Sequence, residues 1–167
     1  LPLKLAQLPA DALHTLHLTA PQVDDEALSE IMHLRSLEVL DLFGTKITNT
    51  GLAALIASPD GDGDTPFPDL RSLNLASTAI TDEGIAEVSN LKSLRHLDLA
   101  RTEITDASID ELLQLSALER LSIEGTQISR EGYDTLAARI DSDSITFEKE
   151  IRSELSTKSP STQVISI

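Results

Sequence analysis

The sequence predicts an α/β fold, a right-handed β-α solenoid with a parallel sheet on its concave face and helices on its convex face. Three observations lead there. A five-term apolar template recurs five times in one register. Each copy opens on a short strand pattern whose anchors turn to one side, and each carries a helix N-cap residue at one fixed place.

The template is Leu37, Leu40, Leu42, Ile47 and Leu52, at offsets 0, 3, 5, 10 and 15. The same offsets recover Leu13, Leu16, Leu18, Val23 and Leu28, then Leu70, Leu73, Leu75, Ile80 and Ile85. They also recover Leu94, Leu97, Leu99, Ile104 and Ile109, and finally Leu118, Leu121, Ile123, Ile128 and Tyr133. All 25 positions are apolar or aromatic. Successive registers lie 24, 33, 24 and 24 residues apart, so the unit is 24 residues and one interval carries nine more. A fixed period of this length marks a stacked array.

Within a unit, L-x-x-L-x-L reads as a strand, and the apolar residues at offsets 10 and 15 belong to a turn and a helix lying across it. Offset 11 holds Asp24, Thr48, Thr81, Thr105 and Ser129, all residues whose side-chain oxygen caps a helix. Acidic residues follow in the first turn (Asp25, Glu26, Asp82, Glu83, Asp106, Glu131), where the helix dipole favours negative charge. One such unit buries too little apolar surface to hold itself together; stacking supplies the shared faces and a hydrogen-bonded sheet. Strand–helix–strand crossovers are right-handed, which sets the hand of the solenoid.

The pattern L-x-x-L-x-L-x-x-T-x-I-T-D-x-G-I stands nearly whole in "LRSLNLASTAITDEGI". It resembles the leucine-rich repeat family, over residues 13–140. The threonine-and-ITDxG variant looks like that of bacterial leucine-rich proteins and is similar to the cysteine-containing type of F-box proteins. Thr45, Thr78, Thr102 and Thr126 stand where that type carries cysteine, and the resemblance implies a ladder of side chains bonding turn backbone there. Pro21 occupies the place in the first repeat, which departs from the pattern.

The organisation expected is an N-terminal cap over residues 1–12, a repeat domain over 13–147 and a helix and tail over 148–167. Leu5 and Leu8 read as the helix end of an incomplete repeat. Ile145 and Phe147 fall at offsets 3 and 5 of a sixth unit, predicting a closing strand within 142–147. "EKEIRSEL" suits a short helix, and His33 is expected near the end of a helix, solvated. Offset -3 holds Ala10, Leu34, Phe67, Leu91 and Leu115, all apolar, which confines the nine inserted residues to 58–66, "SPDGDGDTP". There Asp60, Asp62 and Asp64 match positions one, three and five of a calcium loop. Thr65 replaces the glycine that such a loop needs, and Arg71 stands where its bidentate glutamate belongs, so an acidic insertion is the preferred reading.

Composition narrows the function classes. Asp and Glu outnumber Lys and Arg by 28 to 13, a formal charge of -15, which disfavours nucleic acid and anionic membranes and favours cationic partners. Without cysteine there is no disulfide, thiol nucleophile or zinc-thiolate site. No apolar run reaches the ~20 residues of a membrane span, so no membrane insertion is expected. Opening on Leu1 rather than Met, the sequence reads as a trimmed product. Phosphate-loop, dinucleotide, nucleophile-elbow and zincin motifs are all missing from it. No cofactor is therefore expected, and no enzymatic activity.

The fold points instead to the strand residues at offsets 2, 4 and 6, which face outward in three rows. These are Thr15, Val39, Ser72, His96, Arg120; His17, Asp41, Asn74, Asp98, Ser122; and Thr19, Phe43, Ala76, Ala100, Glu124. Phe43 is their one aromatic and Val39 lies two residues away on the same face, which makes the pair the expected anchors. His96, Arg120, Asn74 and Glu124 are candidate polar contacts, and Asp41 and Asp98 offer carboxylates to a basic partner. Asp41 and Asp98 stand two strands apart, about 10 Å, on an open face that would not desolvate either carboxyl for catalysis. The function expected is a non-catalytic module binding a protein or peptide on the concave face. Two other readings stay open: an adhesive spacer of a longer surface protein, and a recognition domain of an enzyme whose catalytic part lies outside this chain.

Overall fold

The computed structural model describes residues 5–57 and 65–147. The calcium candidates Asp60, Asp62 and Asp64, most of the insertion, the first four residues of the expected cap, and the expected helix and tail over 148–167 lie outside the described residues.

Strands of two or three residues alternate with short helices: β1 (Thr15–His17), α1 (Asp25–Ser29), β2 (Val39–Asp41), α2 (Asn49–Ile56), β3 (Ser72–Asn74), α3 (Asp82–Val88). Then follow β4 (His96–Asp98), α4 (Ile109–Leu112), β5 (Arg120–Ser122), α5 (Arg130–Ala137) and β6 (Ile145–Thr146). The six strands form one parallel sheet in chain order, the sheet of a right-handed β-α solenoid. The strand position of the template, offset 3, pairs with its own copies: Leu16, Leu40, Leu73, Leu97, Leu121 and Ile145 lie in file across the sheet. The insertion leaves this register intact, since Leu40 still faces Leu73. Closure entropy grows slowly with loop length, so nine extra residues strain the pairing little.

All template residues are buried except Leu13, Leu18, Val23 and Tyr133, which are partly covered. All four belong to the first or last repeat, each of which has a full neighbour on one side only. At offset -3, Leu34, Phe67, Leu91 and Leu115 are buried, whereas Ala10 stays exposed because no complete repeat lies outside it. At the far end Phe147 stacks on Tyr133 with ring centroids 4.7 Å apart.

Two polar ladders tie the repeats together. In the turn after each strand, the hydroxyls of Thr45, Thr78, Thr102 and Thr126 donate to the carbonyls of Leu42, Leu75, Leu99 and Ile123 at 2.6–2.8 Å. The residue just before each threonine is left-handed: Gly44, Ser77, Arg101 and Gly125, with φ of 67°, 57°, 58° and 71°. That twist aims the N–H of Gly44, Ser77 and Arg101 at the carbonyls of Ala76, Ala100 and Glu124 in the following repeat, at 2.7–3.0 Å.

The second ladder runs along the helix starts. Asp25 accepts from the N–H and hydroxyl of Thr48 at 2.8 and 2.7 Å. Asn49 accepts from Thr81 N–H at 3.0 Å, Asp82 from Thr105 N–H at 2.8 Å, and Asp106 from Ser129 N–H at 2.7 Å. The first helical residue of each repeat, in a 3-10 turn for the fourth, thus holds the residue that caps the helical segment of the next. The glycines of the ITDxG pattern follow from this ladder, because a Cβ on Gly51, Gly84 or Gly132 would run into Asp25, Asn49 or Asp106. Where the glycine is replaced by Ser108, its hydroxyl donates to Asp82.

Several expectations need correction. Thr81 is an N-cap residue but makes no side-chain bond to its own helix; its hydroxyl accepts from Asn49 Nδ2 at 2.7 Å. The helical segment of the fourth repeat opens with a 3-10 turn at Asp106–Ser108 before α4. The closing strand is confined to Ile145–Thr146, because Asp141 caps a 3-10 turn over Ser142–Ser144. His33 lies in the turn after α1 and is partly buried, its Nε2 2.9 Å from the Leu8 carbonyl. That bond pins the N-terminal segment to the first repeat, so the ring is not simply solvated.

Candidate functional site

The outward rows form as the register requires. Thr15, Val39, Ser72, His96 and Arg120 pair in sequence across the strands, as do His17, Asp41, Asn74, Asp98 and Ser122. Central residues of each strand point into the core while their neighbours stay exposed or half-exposed, the alternation that a pleated strand imposes.

The middle row does more than face outward. Asp41 Oδ1, Asn74 Oδ1 and Asp98 Oδ1 accept from the backbone N–H groups of Phe43, Ala76 and Ala100 at 3.1, 3.0 and 3.0 Å. Each side chain closes the turn by which the chain leaves the sheet, a use of Asx residues that satisfies a backbone donor two positions on. These residues therefore shape the face as well as line it. The second oxygen of Asp41 lies 3.1 Å from His17 Nδ1 on the neighbouring strand. The second oxygen of Asp98 has no hydrogen-bond partner among the described residues.

The third row is uneven. Phe43 is 46% exposed and is the one large apolar side chain so exposed among the described residues. Ala76 beside it is buried, and Ala100 and Glu124 are half-exposed. Val39 and Phe43 thus edge an apolar end of the face at β2, running onto a smooth floor of alanine.

A shallow depression of about 590 Å³ lies at the other end, over β3 to β6. It gathers Asn74, His96, Asp98 and Arg120, four of the residues singled out from sequence, and leaves Val39, Asp41, Phe43 and Glu124 outside. Its remaining lining includes Asp143, Ser144 and Thr146, from the terminal turn and strand. Sequence reasoning did not name these three. The signal was present, because a sixth unit starting at Ser142 puts Ser144 and Thr146 at the outward offsets 2 and 4.

Charges along the strand starts are mostly paired. Arg71 reaches Glu38 at 3.5 Å, and Arg95 reaches Glu119 at 2.6 Å with His96 Nε2 3.9 Å from the other Glu119 oxygen. Arg120 has no carboxylate within 4.0 Å among the described residues, although Asp98 and Asp143 line the same depression. Among the described residues no three His, Asp or Glu side chains gather as a metal site, and no helix is long and apolar enough to cross a membrane.

Comparison with known proteins matches a leucine-rich repeat model over residues 68–128 and a second over residues 33–55. Among solved structures, the chain is similar to a leucine-rich repeat protein of Leptospira interrogans, LIC12759. The two share 23% identity at a TM-score of 0.51, over 82% of this chain and 38% of that one. An internalin of Listeria monocytogenes shares 19% identity at a TM-score of 0.40, over 83% of this chain and 47% of its own. The chain therefore spans less than half the length of either structure. No curated protein matches its sequence.

Proposed function

Because the chain belongs to the leucine-rich repeat family, whose members generally act as protein-interaction modules, we propose that it binds a protein or peptide on the concave face of its sheet and catalyses no reaction. The observation that carries this reading is Phe43, 46% exposed on a face whose neighbouring alanines leave room beside it. An aromatic ring left in water contributes little to the fold, whereas aromatic anchors dominate the energetics of interfaces. Val39 extends the same apolar surface. Asp41, Asp98 and Glu124 favour a partner with cationic side chains, and the formal charge of -15 speeds the approach of such a partner at low salt.

The test is capture from lysate by immobilised protein, comparing wild type with Phe43→Asp and with Asp110→Asn, an exposed position on α4 as control. Capture should fall at least about tenfold for Phe43→Asp, the loss typical of an interface anchor, while the control and both melting temperatures stay unchanged. A partner held equally well by Phe43→Asp rules out the concave face.

A further inference from the structure

The concave face has two chemically different ends. At β2, Phe43 stands exposed beside Val39, and the floor next to it is Ala76 and Ala100. Over β4 and β5 the depression holds charges of both signs that do not neutralise each other. Arg120 has no carboxylate within 4.0 Å among the described residues, and Asp98 uses one oxygen on Ala100 N–H and leaves the other without a described partner. A ligand of a single sign would pair with one of these groups and set like charge against the other, which disfavours it.

Resting on the concave-face reading above, we propose that the occupant is an extended peptide segment running across the strands. It places an apolar side chain on Phe43 and a pair of opposite charges in the depression, a cation toward Asp98 and a carboxylate toward Arg120. The spacing follows from the sheet. Asp98 stands two strands across and two residues along from Phe43, about 12 Å, and Arg120 three strands across and four residues along, about 20 Å, or roughly three to four and roughly six residues of extended chain beyond the apolar anchor. A segment of this kind meets both Asp98 and Arg120 with their complements.

The experiment is selection of a displayed random octapeptide library on the immobilised protein, with a blank-resin counterselection. Enriched sequences are then synthesised and titrated by fluorescence anisotropy against wild type, Arg120→Glu, Arg120→Gln, Phe43→Ser and Asp110→Asn. Circular dichroism confirms that each variant is folded. The expected consensus is an apolar residue followed three or four positions later by a basic residue and about six positions later by an acidic one. Arg120→Glu should weaken it at least tenfold and Arg120→Gln less, and exchanging the peptide acid for lysine should restore binding to Arg120→Glu. Polybasic peptides weakened by Phe43→Ser but indifferent to both Arg120 variants overturn the paired-charge occupant while leaving the concave-face reading intact. Peptides indifferent to every concave variant overturn both readings, and no enrichment over blank resin overturns the occupant proposed.

Discussion

Asp82 opens α3 and Thr105 caps the 3-10 turn that leads into α4 of the next repeat, and the carboxylate of the first holds both the backbone N–H and the hydroxyl of the second, at 2.8 and 2.7 Å. The Ser108 hydroxyl joins them on the same carboxylate. Burial alone would raise the Asp82 pKa; the hydrogen bonds from Ser108 and from Thr105 outweigh it and hold the group below its ordinary 3.8. The bond that joins two repeats is therefore strongest with the carboxylate charged.

Asp82→Ala should cost about 2 kcal/mol, because it strands the Thr105 N–H and two hydroxyls, whereas Asp82→Asn should cost about 1 kcal/mol, keeping an acceptor as Asn49 does for Thr81. The folded pKa lies below the unfolded one, so the charge-dependent part is complete above the ordinary value of 3.8 and is lost as pH falls through the lower folded value. Urea titrations should then show a wild-type advantage over Asp82→Asn that is constant from about pH 5 to 7 and narrows below about pH 4. A gap that does not narrow in acid would place the cost elsewhere than in the charge.

The ladder also explains a glycine. A Cβ on Gly84 would sit 2.7 Å from Asn49 Oδ1 and 2.8 Å from Ile80 Cγ2, so Gly84→Ala should cost about 1–3 kcal/mol by overpacking. Asn49→Ala removes one of the two obstructions while freeing the Thr81 N–H it held. The double variant should be less destabilised than the sum of the singles by at least about 0.5 kcal/mol. Additive losses would show that the Asn49 side chain does not set the limit.

The sequence carried the burial pattern well and the polar geometry poorly, for a physical reason. Apolar periodicity reports which positions face a common core, so Leu40, Leu73 and Leu97 could be aligned from spacing alone, and the outward rows followed from strand alternation. It does not report what a polar side chain bonds. Asp41 and Asp98 read as free carboxylates, yet each spends an oxygen on a backbone N–H two residues later. His33 read as solvated because its acceptor, the Leu8 carbonyl, lies 25 residues away. The depression is harder to read, because Ser144 falls at an outward offset of the sixth unit but stands in a 3-10 turn, and Asp143, at an offset that alternation turns inward, lines it as well.

The left-handed turn position was equally hidden, since glycine marks it in only two of its four copies and Ser77 and Arg101 fill the others. A residue with a Cβ costs about 1–2 kcal/mol there, while a glycine returns part of that through greater freedom of the unfolded chain. Ser77→Gly should therefore raise the urea midpoint by the equivalent of up to about 1 kcal/mol. Arg101→Gly should gain less, because Arg101 lays its stem over Gly125, its Cγ 3.2 Å from where a Cβ would stand. A midpoint lowered by Ser77→Gly would refute strain at this turn.

The end of the solenoid supplies the last test. Phe147 stacks on Tyr133 at 4.7 Å, and Arg130 lies over the same tyrosine ring at 5.3 Å, so aromatic contact holds β6 against the fifth repeat. The strand is only Ile145–Thr146, and the carbonyl of Thr146 receives Ile123 N–H at 2.9 Å. Repeat arrays open from their ends, because each unit touches only its neighbours. Phe147→Ala should therefore raise amide exchange at Ile123 by about tenfold for each 1.4 kcal/mol of local stability lost, while Leu42 N–H, three strands from Ile123 and bonded to the Asn74 carbonyl at 2.9 Å, changes little. Equal acceleration at both amides would mean that the array unfolds as one cooperative unit rather than fraying from this cap.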